Sequence, residues 1–374
     1  MENFYFDLLK TWCDGMLAHQ LKDMGPAFDG ALLCPACRYA HARCDNAVYP
    51  FLYMADATGD TRYVDAAIAV EKWQREAAFC DDGSCYNDTH ASWAGITVFS
   101  AVALCEALER HSSLLPASVK AQWEEKLAKE GQWLRANLDG HAKTNINYLA
   151  TNACALALVG KYLGNEEWMA QAKHLARYAL ARFTEHGLLW GEGQPWDKVT
   201  ARGCRPIDIG YNVEESVPSL IKYAVALGDE EALDQLTDVL RKQLFFFLPD
   251  GGWDNSFGSR NNKWTYYGSR TSDGCCAGYA LLAGRDPRFA EVAHRNLKLM
   301  EKCTWDGLLA GGPDYEKAGE YPCIHHTFTH ANALTAALDA GIADMPLGAK
   351  LPLDEATTGA YTVPELGCIA VNMN

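Results

Sequence analysis

Apolar residues recur along most of the chain at helical spacing, and few segments alternate between apolar and polar residues as strands do. The pattern predicts helices over residues 45–56, 61–78, 92–111, 119–138, 145–163, 166–183, 211–227, 230–247, 272–283, 287–303 and 327–340. Short breaks separate these helices at residues 59, 113, 164, 228, 284 and 341. Most breaks place a glycine shortly before an acidic residue or a proline, which is typical of a tight turn between two helices.

The breaks recur every 51 to 64 residues, and long polar loops lie at the opposite ends of the helices. These loops cover residues 80–91, 141–144, 185–210, 249–271 and 304–326. A repeat of about 50 residues with short turns at one end and long loops at the other is typical of stacked helical hairpins. Closed into a ring, the hairpins form an all-α, incomplete (α/α)6-7 toroid. It has six hairpins, or seven if residues 4–21 pair as well, and all long loops build one cleft.

The toroid is predicted to span residues 1–350, because the pattern changes after that point. The last residues, AYTVPELGCIAVNMN, are β-like. Residues 351–374 are therefore either the first strand of a further β-domain or an extended tail that crosses the toroid.

The composition favours a large core and an acidic surface. Hydrophobic residues make up 49% of the 374 positions, which is enough for one large domain or two ordinary ones. A net charge of −15 disfavours nucleic acid and anionic membranes as partners, and an anionic substrate would need a local basic pocket. The sequence has no run of about 18 apolar residues that would predict a membrane span. It does not predict an oligomeric state.

The N-terminus and the cysteines bear on localisation. The segment MENFYFDLLKTW lacks the basic region and the apolar core of a signal peptide. Cys105 and Cys154 lie in apolar helical surroundings, where a free thiol behaves as a small hydrophobic group. We therefore expect a cytoplasmic protein, or a periplasmic or secreted one if a signal peptide has been removed.

A long polar and aromatic stretch, PDGGWDNSFGSRNNKWTYYGSRTSDGCC, separates two predicted helices at residues 249–276. Long ordered loops in compact domains usually carry function. Aromatic rings stack on the apolar face of a sugar, and arginine binds a carboxylate through two parallel hydrogen bonds. The stretch is typical of a site for a sugar that bears a carboxylate, unless its rings pack only on their own hairpin. Its candidate residues are Trp253, Arg260, Trp264, Tyr266, Tyr267 and Arg270.

A CxxC motif precedes the first helix of the repeat. Cys34 and Cys37 are followed by His41 and Cys44, a spacing typical of a structural zinc site. We expect Cys34, Cys37 and Cys44 to converge, with zinc or as reduced thiols that pack a loop. His41 and Arg43 directly precede the helix, where anions are favoured, so they either bind substrate or cap the helix.

Polar residues near other helix starts are further candidates for substrate binding. His90 lies in a polar loop, and Asn147 lies on an otherwise apolar helix, where its amide must find partners in the substrate or in loop carbonyls. Tyr211, Asn212 and Glu215 begin another helix, although an acidic residue in a first turn is also favoured by the helix dipole.

Two histidines and a set of carboxylates complete the candidates. His326 and His330 have i, i+4 spacing at a helix start, without the HExxH pattern of a zinc protease. They are predicted as a catalytic and a substrate-contacting histidine, with core histidines as the alternative. Paired carboxylates could instead serve as general acid and base of a glycoside hydrolase. The candidates for that role are Glu192, Asp208, Glu215 and Asp254.

The central loop resembles the chondroitin/hyaluronan lyase group of toroid polysaccharide lyases, whose pattern is close to DGSFxQHxxxxYTGxYG. Ser256-Phe257, Tyr266 or Tyr267, and Gly268 match the pattern, whereas Arg260 stands where the group has histidine. The stretches CPACxxxHxRCxxAxYP and NDxxxxWxGITVFSA also resemble bacterial heparinase II/III-like proteins.

The resemblance implies β-elimination on a uronic-acid-containing glycan. A lyase removes the proton at C5 of the uronate and expels the oxygen at C4, with the carboxylate neutralised by arginine or asparagine. The implied roles are Tyr266 or Tyr267 as base and acid, Arg260 and Arg270 as neutralising groups, and His326 as the alternative base. No cofactor is required beyond a possible structural zinc, and the expected partner is an anionic oligo- or polysaccharide. The alternatives are a glycoside hydrolase and a non-catalytic carbohydrate-binding toroid.

Overall fold

The computed structural model describes residues 3–90, 92–139, 144–194, 196–254, 258, 265, 277–355 and 359–372. Its α-helices are α1 (Phe4–Ala18), α2 (Val48–Thr58), α3 (Thr61–Ala77), α4 (Thr97–His111), α5 (Ala117–Asn137), α6 (Ile146–Leu163), α7 (Glu166–Leu180), α8 (Ile209–Tyr211), α9 (Val217–Leu227), α10 (Glu230–Gln243), α11 (Ala277–Leu281), α12 (Pro287–Lys302), α13 (Tyr315–Ala318), α14 (Ile324–Asp339) and α15 (Pro352–Glu355). Its strands are β1 (Thr304–Trp305), β2 (Leu308–Leu309), β3 (Gly359–Val363) and β4 (Cys368–Asn372).

Six helices form an inner ring, in the order α2, α4, α6, α9, α11 and α14. Each contacts the next, and α14 contacts α2, so the ring closes. Helices α3, α5, α7, α10 and α12 lie outside, each against the inner helix that precedes it, and α1 lies against α14. The all-α toroid of helical hairpins is therefore confirmed. The described residues form six hairpins, because the N-terminal helix completes the sixth hairpin with α14 and does not start a seventh.

Glycine and a following polar residue build several of the short turns. Gly59, Gly164 and Gly228 end α2, α6 and α9 with φ angles of 72°, 70° and 66°, a left-handed conformation that glycine adopts without strain. The next residue then caps the outer helix. Asp60 and Asp229, for example, accept hydrogen bonds from backbone N–H groups at 3.0 and 3.1 Å.

The inner helices all run in the same direction, because each follows a long loop and ends at a short turn. Their N-terminal ends therefore lie together on the loop side of the ring, which we call the mouth. Each N-terminus carries a partial positive charge from the helix dipole. The mouth thus provides a field that favours anions in a chain whose net charge is −15.

A buried ion cluster connects the first two hairpins. The ammonium group of Lys126 on α5 lies 3.1 Å from Asp45 and 3.7 Å from Glu130, and all three side chains are essentially inaccessible. Burial raises the pKa of Glu130 to about 7, although the charge of Lys126 opposes the shift.

The C-terminal residues form a hairpin on the outside of the toroid. Strands β3 and β4 are antiparallel, with Gly359 opposite Asn372 at one end and Val363 opposite Cys368 at the other. The ring of Tyr361 lies 4.0 Å from that of Phe245, and Glu365 contacts His186 at 2.9 Å. Among the described residues, no helix is both long and apolar enough to span a membrane.

Candidate active site

A cavity opens on the axis of the ring, between the inner helices. The centre of a water molecule can occupy a volume of about 50 Å³ inside it. Side chains from all around the ring line this cavity. Arg43, Phe99 and Glu215 line the part of the cavity near the mouth. Lys222 lies farther from the mouth and forms an ion pair with Glu106 at 2.8 Å. The cavity thus combines a cation and a carboxylate at the end where the long loops meet.

Arg43 is held rigidly at this end by its neighbours. It lies in the short 3-10 turn Ala42–Ala47 before α2 and is only 4% exposed. Its guanidinium group stacks 3.6 Å above the ring of Phe99, and its Nε donates to Asn46 Oδ1 at 3.3 Å. Burial lowers the pKa of Arg43 to about 10, an effect that the charge of Glu215 opposes. The side chain is therefore a fixed cation near neutral pH.

Asn147 and Glu215 form a buried pair opposite Arg43. The Asn147 Nδ2 atom donates to Glu215 Oε1. Glu215 lies in a single turn of π-helix, Asn212–Ser216, between α8 and α9. Such a turn inserts one residue into a helix and is common at functional sites. It brings Glu215 to the cavity, beside the first turn of α6.

Two tyrosines and a tryptophan surround this pair. Trp93, which is 49% exposed, donates from its indole Nε1 to the hydroxyl of Tyr148 at 3.0 Å. Burial raises the pKa of Tyr148, and the charge of Glu215 adds to the shift, whereas the hydrogen bond from Trp93 opposes it. Tyr211 also interacts electrostatically with Arg43 and Tyr148. Trp93 offers a flat apolar surface at the mouth, of the kind on which a sugar ring stacks.

Two of the predicted binding residues lie at the rim beside these groups. His90 is exposed, and its ring meets that of Tyr39 edge to face at 4.9 Å. His41 is only 5% exposed, and its Nδ1 atom lies 3.0 Å from Asp88 Oδ1. Asp88 therefore orients the ring of His41, which is almost entirely covered, and its predicted contact with a substrate remains a prediction.

The predicted cysteine cluster has a different membership from the one expected. The potential ligand atoms of Cys34, Cys37 and His41 all lie within 4.8 Å of one another. Cys44 is not in this group, so the expected convergence of Cys34, Cys37 and Cys44 is wrong. Cys44 belongs to the helical turn after His41, which directs its side chain into the core, where burial raises its pKa well above the ordinary value.

The structure places four further candidates in the core. His326 and His330 are 4% and 2% exposed, and His330 Nδ1 lies 2.6 Å from the carbonyl oxygen of His326. Asn212 exchanges hydrogen bonds with the backbone of Leu189. These three side chains have partners within the fold, and their predicted contacts with a substrate remain predictions. Trp253 is 2% exposed between aromatic neighbours, so we assign it to packing and not to sugar binding.

Arg260, Trp264, Tyr266, Tyr267 and Arg270 lie outside the described residues, so their predicted roles remain predictions. Gly258 of the same loop is described. The backbone of Gly258 pairs with that of Asp208, and a Cβ atom at Gly258 would lie 2.5 Å from the Asp208 carboxylate. Asp208 is the N-cap of α8, three residues before Tyr211. Gly258 therefore lies beside the start of α8.

Two of the four candidate carboxylates have backbone partners. Glu192 Oε2 accepts from the N–H of Asn147 at 3.3 Å, and Asp208 Oδ1 accepts from that of Tyr211 at 3.2 Å. Both carboxylates therefore complete the first turn of a helix. These hydrogen bonds account for the burial of Glu192 and Asp208 without requiring a catalytic role for either carboxylate.

Several residues at the site were not among the sequence candidates. The ring of His325 lies 4.8 Å from that of His41, but its position in the sequence does not follow the i, i+4 spacing of His326 and His330. Tyr148 and Trp93, by contrast, are also indicated by the sequence, since each accompanies a polar residue at a helix start. Asp88 and Cys323 are not, because they come close to the CxxC segment only through the fold.

Solved structures with similar folds confirm the architecture. The α-1,6-mannanase GH76A from Salegentibacter sp. HEL1_6 aligns with a TM-score of 0.64 at 11% identity, over 90% of this chain and 99% of that one. The cellobiose 2-epimerase from Bacillus thermoamylovorans B4167 aligns with a TM-score of 0.62 at 11% identity, over 90% and 99%. At such identities the likeness shows the fold alone. The class is therefore that of the α/α-toroid proteins.

The family within this class follows from the sequence comparisons. Residues 9–354 match the family model of the ulvan lyase N-terminal domain, and the chain belongs to that family. The chain is also 44% identical over 342 residues to a broad-specificity ulvan lyase of Formosa agariphila. The alignment covers 90% of this chain and 53% of the relative, so the chain spans about half the relative's length.

Proposed function

We propose that this chain is the toroid domain of a polysaccharide lyase that cleaves a uronic-acid-containing glycan by β-elimination, with ulvan as the substrate. The relative that is 44% identical over 342 residues is an ulvan lyase, and ulvan contains uronic acid. The observation that carries the proposal is the grouping of Arg43, Asn147 and Tyr148 at the mouth of the ring. A cation, an amide and a phenol are the groups that this elimination requires.

The first requirement is to neutralise the uronate carboxylate. The proton at C5 is weakly acidic until the charge on the adjacent carboxylate is neutralised, because removing it builds an enolate-like anion. Arg43 supplies a fixed positive charge, and the amide of Asn147 supplies hydrogen bonds. Both are buried, where electrostatic interactions are stronger than in water.

The second requirement is a base that takes the C5 proton and an acid that protonates the leaving oxygen. The C5–H bond breaks, its electron pair forms the C4–C5 double bond, and the C4–O bond breaks toward the leaving sugar. We propose a tyrosine for both roles, with Tyr266 or Tyr267 of the central loop as the predicted groups. Tyr148 and Tyr211 are the described alternatives, because both interact electrostatically with Arg43, although burial raises the pKa of Tyr148.

Two further features support an anionic glycan. The six helix N-termini at the mouth attract negative charge against the acidic surface of the chain. Trp93 and His90 are exposed at the rim, where a sugar ring can stack. The narrower resemblance to chondroitin/hyaluronan and heparinase II/III-like lyases supports the same chemistry, with Arg260 as a neutralising group in place of histidine.

A glycoside hydrolase on the same fold has less support. Glu192 and Asp208, two of its four candidate carboxylates, each accept a hydrogen bond from a backbone N–H group in the first turn of a helix. Glu215 is engaged by Asn147.

The test is to incubate the purified chain with ulvan and to follow two signals. Elimination gives an unsaturated uronate that absorbs in the near ultraviolet, together with new reducing ends. Hydrolysis gives reducing ends without the absorbance, and a binding scaffold gives neither. We expect both signals to rise in parallel.

Ulvan whose carboxyl groups have been reduced to alcohols is the matched control. It keeps the linkages but lacks the charge that Arg43 and Asn147 neutralise, so we expect no absorbance. Reducing ends without absorbance on native ulvan, or equal cleavage of both polymers, would contradict the proposed function.

A further inference from the structure

The segment before the first inner helix folds as a tight turn that presents two sulfur atoms on one side. The backbone N–H of Cys34 donates to the carbonyl of Tyr39 at 3.0 Å, and the N–H of Arg38 donates to that of Cys34 at 2.8 Å. Within the turn, the N–H of Cys37 points to Cys34 Sγ at 3.4 Å. The turn thus brings the two thiols of the CxxC motif together beside His41.

A third sulfur atom comes from the opposite end of the chain. Cys323, the residue before α14, places its Sγ 3.8 Å from that of Cys34, 289 positions away in the sequence. Two thiolates that bind one zinc ion tetrahedrally, at about 2.3 Å each, are about 3.8 Å apart. The observed separation therefore equals the edge of a zinc coordination tetrahedron.

His41 is oriented as a metal-binding histidine. Its Nδ1 atom faces the carboxylate of Asp88 at 3.0 Å, and both side chains are buried. Its Nε2 atom is also buried and makes no hydrogen bond within the described part of the chain. Histidines that bind metals usually donate one ring N–H to a carboxylate and offer the other nitrogen to the ion. Nε2 is the atom left for that purpose.

We infer that Cys34, Cys37, His41 and Cys323 bind one zinc ion. Three thiolates and one imidazole in a closed tetrahedral set are typical of structural zinc, and soft sulfur ligands select it over magnesium or calcium. Asp88 is the positioning residue that orients His41. Cys37 is exposed and gives the ion a path from solution.

The site explains how two distant segments meet at the mouth. The ion joins the turn that precedes α2 to the start of α14, two neighbours in the ring that are far apart in sequence. His325 follows Cys323 by two residues and contacts His41, and Arg43 follows His41 by two. Zinc therefore fixes the wall of the cavity on which Arg43 lies, without taking part in the elimination.

The first experiment measures the metal in the unmodified protein. The chain is expressed with zinc in the medium, dialysed against metal-free buffer and analysed by inductively coupled plasma mass spectrometry. We expect about one zinc per chain. After the zinc is removed with a chelator and a reductant, Co²⁺ should restore one site. That site should show thiolate-to-cobalt charge transfer in the near ultraviolet and the intense visible bands of tetrahedral cobalt.

Variants then identify the ligands. Cys323→Ser and His41→Ala should lose the stoichiometric zinc, whereas Cys44→Ala should retain it, because the Cys44 thiol interacts with Asp45 and Lys126 in the core. Asp88→Asn should keep the site but weaken zinc affinity by about 10- to 100-fold. Circular dichroism shows whether each variant folds. If the ligand variants do not fold, the zinc site is tested by the cobalt spectrum of the wild type and by the zinc affinity of the Asp88→Asn variant.

Three results would overturn the inference. The first is a purified protein that contains no zinc and whose cobalt form lacks the charge-transfer band. The second is a folded Cys323→Ser variant that retains full zinc. The third is a disulfide between Cys34 and Cys323 in the native protein, found by peptide mapping. All three readouts are independent of glycan cleavage. A failure of the zinc site is thus distinguishable from a failure of the proposed lyase activity.

Discussion

The amide of Asn147 donates a hydrogen bond to the carboxylate of Glu215 across the space between α6 and the π-helical turn before α9. The two residues are 68 positions apart and are both buried. Glu215 also acts electrostatically on Arg43 and Tyr148. It therefore orients the amide and balances the cation that we assign to the substrate carboxylate.

Asn147→Ala should lower the turnover number on ulvan by about 100-fold or more, because it removes a polar group that stabilises the developing negative charge. The matched control is Asn152→Ala on the same helix. Asn152 donates only to the backbone carbonyls of Leu134 and Leu138, so its loss should destabilise the fold by about 1–3 kcal/mol without changing the turnover of the folded protein. Near-ultraviolet absorbance measures the rate and thermal unfolding measures the stability. Equal turnover numbers in the two variants would show that Asn147 does not stabilise the reacting substrate.

Arg43→Lys should reduce kcat/KM on ulvan by about 10- to 100-fold. Lysine keeps the charge but cannot form two parallel hydrogen bonds to a carboxylate or stack flat on Phe99. Arg75→Lys is the control, because Arg75 forms a partly exposed pair with Glu71 outside the mouth, and it should leave kcat/KM unchanged. An Arg43→Lys enzyme with wild-type kinetics would show that this cation does not contact the substrate. The same kinetic comparison applies to Arg260→Lys, which we expect to be impaired for the same reason.

A set of four Tyr→Phe variants should identify the base. Replacing Tyr266 or Tyr267 keeps the packing but removes the proton acceptor, so the responsible variant should lose about 100-fold in turnover while still binding ulvan. Tyr148→Phe and Tyr211→Phe test the described alternatives. Turnover and KM are measured for each, since a change in KM alone indicates binding. Four variants with full turnover would exclude a tyrosine base.

Glu130 should make the stability of the fold depend on pH between about 4.5 and 7. Its pKa is raised to about 7 in the folded chain from a model-peptide value of 4.5, so in this window the folded state binds a proton that the unfolded state releases. The free energy of unfolding should therefore fall as the pH rises, by about 3 kcal/mol in total. Urea unfolding of the wild type and Glu130→Gln from pH 4.5 to 8 measures the difference. Glu125→Gln, an exposed change on the same helix, should not alter the pH profile.

The repeat of helical hairpins was predictable because its signals are local. The predicted segments 61–78, 166–183 and 230–247 begin at the residues where α3, α7 and α10 begin, since a glycine stop and a polar cap mark each start. The fold class followed from the spacing of these turns. The pairing of α1 with α14 was not predictable, because it depends on closure of the ring and not on any neighbouring residue.

The site was less predictable, for reasons that concern single residues. The i, i+4 rule selected His326 and His330, which share a buried face, whereas their neighbour His325 contacts His41. The π-helical turn shifts the register after Asn212, so helical spacing cannot predict that Glu215 reaches Asn147. The CxxC spacing located Cys34 and Cys37 correctly, but the sulfur beside Cys34 belongs to Cys323, which no local pattern connects to it.

Closure of the ring by α1 and α14 determines the order in which the chain can fold. Trp12 on α1 donates to Thr304 at 2.9 Å across 292 positions, so this contact closes a loop of most of the chain. The hairpins α2–α3, α4–α5 and α6–α7 depend on near neighbours and can form during synthesis, whereas the apolar face of α1 stays uncovered until α14 has emerged. The contacts of greatest sequence separation therefore join the two ends of the chain, and removal of α1 or α14 would leave the apolar face of the other helix uncovered and prone to aggregation.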